Sequence, residues 1–109
     1  MTKEEAKKKK FKDVLNELYT TYVKKNHDYG DSFAKSIEEF GPIAGTIRIT
    51  DKYNRLKSLT KDPNALVLDE TFRDTLLDMA NYSIMMAIEL ESALKADEKE
   101  VKEETSEKE

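Results

Sequence analysis

Apolar positions set the first expectations. Between about Glu4 and Lys25, Phe11, Val14, Leu15, Leu18 and Tyr22 recur at three- and four-residue steps, the mark of one helix face. This predicts a helix docked by a single stripe. The pattern breaks at NHDYGD, residues 26–31, where Asn, Asp and Gly favour a turn and Gly30 can take a positive φ. A short second helix follows, about Ser32 to Phe40, with Phe33, Ile37 and Phe40 on its inner face. Gly41 reads as its stop and Pro42 as the first position of a third helix, about Pro42 to Leu59, because proline is tolerated only in a first turn. That helix has an apolar edge of Ile49, Tyr53, Leu56 and Leu59 and a polar edge of Arg48, Asp51, Lys52 and Arg55.

KDPNA, residues 61–65, reads as a loop, and a fourth helix starts near Asp69 and can continue past Leu94. Phe72, Leu76, Met79, Met86 and Leu90 line one side of it and Leu77, Ile84 and Ile88 another. A helix apolar on two sides is central in a bundle or shared between subunits. The expected fold is therefore an all-α four-helix bundle completed by homo-oligomerisation, with Met79, Met86 and Leu90 near the seam. From residue 95 onward only Val101 is strongly apolar, so 1–94 reads as one helical domain and 95–109 as a charged tail, disordered or frayed.

Composition narrows the function classes. The net charge of −4 leaves no basic excess for a nucleic-acid polymer. No cysteine is present, which excludes disulfides and thiolate metal sites. No apolar run approaches the ~20 residues of a membrane span, and the expected location is the cytoplasm.

The sharpest question lies in RDTLLDMANY, residues 73–82. Glu70, Asp74, Asp78 and Asn81 fall within about 80° of arc, bordered by Leu77, Met85 and Ile88. Carboxylates beside packed surface need a cation. One source is internal: Arg48, Lys52 and Arg55 share a face of the third helix, which the DPN loop lets turn back against the fourth. The other is Mg²⁺, with Asp51, Asp74 and Asp78 as ligands and water or substrate phosphate completing the shell. Spacing leaves both open.

The order HDYGDSFAKSIEEFG, RITDKYNRLKSL, DETFRDTLLDMANY resembles a small helical family of bacteriophages and their Gram-positive hosts, the nucleotide-modification-associated domain, across about residues 20–91. More distantly the chain is similar to the all-α nucleoside triphosphate pyrophosphatases, the MazG and dimeric dUTPase group, in which an ExxE pair and an ExxD pair hold Mg²⁺ against phosphates. Asp78 and Asn81 have the ExxD-like spacing, with Asp74 one turn earlier. Asp51 has no ExxE partner, because Asn54 and Arg48 stand three residues to either side of it. That departure favours fewer ions, or direct phosphate contact by Arg48 and Arg55.

The KKNHDYGD segment adds a donor-rich turn. Tyr29 offers a flat face for a base, Asn26 a hydrogen-bonding group, and Lys25 a cation for phosphate. His27, Asp28, Lys52 and Asn81 complete the expected substrate contacts. A plainer account has Asn26 capping one helix, Asp31 capping the next and Tyr29 packed on the bundle. His27 is the lone histidine, and with no cysteine the parts of a nucleophilic triad are missing.

Three functions follow as expectations. The first is Mg²⁺-dependent cleavage of a nucleoside triphosphate between its α and β phosphates, with metal on Asp51, Asp74 and Asp78 and phosphate charge stabilised by Arg48 and Arg55. The second keeps the nucleotide and drops the chemistry: a binding or sequestering protein. The third is a structural helical oligomer with a salt-bridged stripe.

Overall fold

The computed structural model describes the backbone of residues 1–29, 31–62 and 70–108, with side chains for 1–27, 31–62 and 71–93. Four helices appear in chain order: α1 (Lys3–Tyr29), α2 (Ser32–Phe40), α3 (Ile43–Lys61) and α4 (Glu70–Lys108). Among the described residues there is no strand. The all-α, four-helix expectation holds.

The helix ends show which local signals dominate. Gly41 stops α2 as expected: its φ of 84° is open to glycine, and its N–H donates to the Ile37 carbonyl at 2.7 Å. Pro42 stands at the N-cap of α3 with φ −57°, one position earlier than expected. The expected turn at 26–31 is narrower, because α1 runs through Asn26, His27 and Asp28 to Tyr29. Asn, His and Asp are weak helix formers rather than breakers, so the break falls later. Gly30 lies outside the described residues, and the positive φ observed here belongs to Asp31, at 60°. Asp31 also occupies the N-cap of α2 without a side-chain cap hydrogen bond, which corrects its expected capping role.

Of the expected loop, residues 63–65 lie outside the described residues, as does Asp69. The backbone of α4 stays helical to Lys108, through most of the segment expected to be disordered or frayed. Its Glu, Lys and Ala are strong helix formers and sustain the backbone without an apolar face.

Packing is concentrated where α3 and α2 meet α4. Gly45 on α3 is buried, and a Cβ there would lie 2.8 Å from the Met86 sulfur and 3.5 Å from the Phe33 ring. The absent side chain is what lets α3 approach α4 so closely. Met86 therefore packs against α3 within the chain. Ile37 and Leu18 are buried, as is Thr75, whose hydroxyl donates to the Thr71 carbonyl at 2.7 Å. Phe40, expected inside, is 65% exposed. It sits about 60° round the helix from Ile37, at the last turn of α2.

α1 is held more lightly. Its Leu18 carbonyl accepts from the Asn81 side-chain nitrogen at 3.2 Å, and Glu17 receives both terminal nitrogens of Arg73 at 2.8 and 2.7 Å. Phe11, Leu15, Tyr19 and Val23 remain largely exposed. No helix among the described residues is long and apolar enough to cross a membrane.

Candidate functional site

Asp78 is the junction of three helices. From α4 its Oδ1 accepts from Lys25 Nζ of α1 at 3.1 Å, and its Oδ2 lies 3.2 Å from Lys52 Nζ of α3. The internal cation expected opposite the acidic stripe exists: Lys52 of the expected three supplies it, joined by Lys25 from α1. Burial pushes the Asp78 carboxyl up, but hydrogen bonds from Lys25 and Lys52, together with their charges, outweigh it and hold the carboxyl below its ordinary value.

Beside this junction opens a cleft of about 310 Å³ between α1, the start of α2, and α4. Three aromatic rings line it, Tyr22, Phe33 and Tyr82, with the Phe33 and Tyr82 rings 5.4 Å apart and tilted by 40°. Lys25, Asn26, Asp31, Ser32, Asp78 and Asn81 are its polar lining, and Met85 adds a further apolar side chain. The volume lies at the small end of the range for ligand sites, and the mix of flat apolar walls with a few polar groups is that of a small-molecule site. Asp31 in the left-handed conformation turns the chain from α1 into α2 at the rim.

The expected residues divide accordingly. Lys25, Asn26, Asp78 and Asn81 meet at the cleft, and Lys52 joins through Asp78. His27 is exposed and does not line it, and the side chains of Asp28 and Tyr29 lie outside the described residues. Arg48 and Arg55 are exposed on α3 and away from the lining. Tyr22, Phe33 and Tyr82 were expected only as packing residues or not singled out. Their type was the available signal, since three rings near a lysine offer both stacking and charge.

Mg²⁺ finds a poor fit. Asp51 and Asp74 are exposed, and among the described residues no three His, Cys, Asp or Glu side chains converge as metal ligands. Asp78, the best placed acid, already serves two ammonium groups, whose charge opposes a nearby cation. The expected trio Asp51, Asp74 and Asp78 is thus not a preformed site within one chain. On a helix, acids four residues apart share a face, but only the deeper one here borders the bundle interior.

A family model described as nucleotide modification associated domain 1 matches residues 25–90, from the cleft lysine through most of α4's apolar stretch. The chain belongs to that family. No curated protein and no solved structure matches it. Within the nucleotide modification associated domain lie Lys25, Asp31, Lys52, Asp78, Asn81 and Tyr82, so nearly the whole cleft falls inside the matched segment. Tyr22 alone of the named lining residues precedes it.

Proposed function

We propose that the cleft binds a nucleotide, with phosphate at Lys25 and Lys52 and the base against Tyr22, Phe33 and Tyr82. The observation that carries this reading is the bridging of two ammonium groups by one carboxylate at the edge of an aromatic cleft. Asp31 and Asp78 balance the two lysines in formal charge, and the side chains of Lys25 and Asp78 are 56% and 28% exposed. A phosphate can therefore reach the ammonium groups, and Asp78 keeps both in place before it arrives. Tyrosine and phenylalanine faces accept any base, while Asn26, Ser32 and Asn81 supply directional hydrogen bonds.

Membership in a nucleotide modification associated family agrees with this ligand class. Between the enzymatic and the non-catalytic versions, the geometry supports binding. Cleavage between the α and β phosphates, with Mg²⁺ on Asp51, Asp74 and Asp78 and charge stabilised by Arg48 and Arg55, needs groups that stand apart in the single chain.

Calorimetric titration with nucleoside mono-, di- and triphosphates, with and without Mg²⁺, tests the reading. Binding weakened at least tenfold by Lys25→Gln, about 1.4 kcal/mol, is the expected result. Absence of binding at millimolar ligand would overturn it, and release of pyrophosphate would restore the enzymatic version.

A further inference from the structure

Charge and size bear on how many phosphates a nucleotide in the cleft can carry. Among the described residues, Lys25 is the one cationic side chain in the lining, and Lys52 meets the site only through Asp78. Of the ammonium donors of Lys25, one goes to Asp78 at 3.1 Å and the rest are open to a ligand. None of the chain's arginines lines the cleft: Arg48 and Arg55 are exposed on α3, and both terminal nitrogens of Arg73 are taken by Glu17. The bidentate guanidinium grip on phosphate is therefore missing from the site.

The cleft also holds an acid with no structural duty. Asp31 lines it and is exposed at the N-cap of α2, yet makes no side-chain cap hydrogen bond. Among the described residues its carboxylate has no ion-pair partner. Its φ of 60° is one that aspartate tolerates and glycine adopts more readily, so the backbone alone does not call for a carboxylate here. An ionised carboxylate only accepts hydrogen bonds, so Asp31 can face a sugar hydroxyl or a base N–H and repels phosphate oxygens. The space beside the cleft is no better suited to anions. A second cavity of about 220 Å³, between α1 and α4, shares Tyr22, Asn81 and Met85 with the cleft and has no charged side chain in its lining. A phosphate chain running on from Lys25 would find no further cation in the lining of either.

We infer that the ligand of the cleft is a nucleoside monophosphate, whose single phosphate meets Lys25, and that Asp31 turns away nucleotides with more. This rests on the nucleotide reading and narrows it. A terminal phosphate carries about −1.5 to −2 at neutral pH. Each further phosphate adds negative charge, ordinarily met by arginine or by Mg²⁺ bridging neighbouring phosphates. Here Lys25 and Lys52 are already balanced by Asp31 and Asp78, and among the described residues no three metal-ligating side chains converge. The least charged nucleotide is thus the best match, while the open donors of Lys25 favour one phosphate over none. A cleft of about 310 Å³, small for a ligand site, agrees with the shorter molecule.

Calorimetric titration at fixed ionic strength, with and without Mg²⁺, should compare each deoxynucleoside with its monophosphate and its triphosphate. The best-bound monophosphate should exceed both its triphosphate and its bare nucleoside by about tenfold in affinity. Asp31→Asn keeps a residue at ease with positive φ, so the helical circular dichroism should be unchanged while triphosphate affinity rises by about fivefold. Lys25→Gln should erase the advantage of monophosphate over nucleoside. A triphosphate bound as tightly as the monophosphate, in either condition, would overturn the proposal and leave the nucleotide reading standing. So would a nucleoside bound as tightly as its monophosphate, or a folded Asp31→Asn variant with unchanged discrimination. Failure of every nucleotide to bind would remove the nucleotide reading and this proposal together.

Discussion

The two sides of α4 are built by different means. Toward α3 and α2, contact is close and apolar: Gly45 admits the Met86 side chain, Ile37 is buried, and Thr75 returns its hydroxyl to its own helix. Toward α1, the contacts are polar and spaced apart: Arg73 to Glu17, Lys25 to Asp78, Asn81 to the Leu18 carbonyl, with two cavities between. The first side sets the fold. On the second, polar contacts link two helices across a pair of cavities.

Substitutions can test that division, beginning with the largest expected effect. Replacing Gly45 with leucine forces a branched side chain into space held by Met86 and Phe33, and overpacking of this kind costs about 3 kcal/mol. A urea melt should show it as a lowered midpoint. Gly45→Ala is far milder, since the nearest atoms belong to the flexible end of a methionine and alanine recovers about 1 kcal/mol of helix propensity. A loss as large for alanine as for leucine would mean that the Met86 side chain cannot yield.

On the opposite side, Asp78→Asn should cost about 1 kcal/mol at neutral pH, because its lysines are partly solvated and recover water when the carboxylate is lost. This lies between the relief of repulsion expected for an acidic metal cluster and the ~3 to 5 kcal/mol of a buried charge left alone. Measured stabilisation would reinstate the metal cluster. Lys52→Met should be felt more than Lys25→Met, since Lys25 is twice as exposed.

The pH dependence follows from the same junction. The folded Asp78 carboxyl is held below its unfolded value, so its stabilisation is complete above the unfolded pKa of about 3.9 and is lost as pH falls through the lower folded value. Thermal melts should change little between neutral pH and about pH 5 on this account, then fall in acid, and Asp78→Asn should flatten the acid limb. The smallest effect belongs to Arg73→Ala. The Arg73 guanidinium holds the Glu17 carboxyl low by hydrogen bonding, yet both groups stand in solvent, and the melting temperature should move little and not at all in high salt.

Much of this was legible along the chain wherever a single residue decides local geometry. Gly41 ended α2 on schedule, and the apolar spacing placed the four helices. Phe40 was misassigned because periodicity gives the face of a helix and not how deeply each position on it is covered. At the site, the acidic stripe demanded a cation, and both lysines that supply it were among the expected ligand contacts. Their meeting at one carboxylate was not legible, since it depends on how α1, α3 and α4 cross. The same limit explains why Arg48 and Arg55, which share a helix face with Lys52, were expected at the site and stand outside it.

The chain has no tryptophan and five tyrosines, of which Tyr22 and Tyr82 form cleft wall. With no indole to dominate the spectrum, ultraviolet emission and near-ultraviolet dichroism of the unlabelled protein come from phenol and phenyl rings. Two of those phenols line the cleft, and Tyr19 lines the second cavity. The protein therefore carries its own optical reporters for the two cavities, and Tyr19→Phe against Tyr82→Phe would tell one signal from the other.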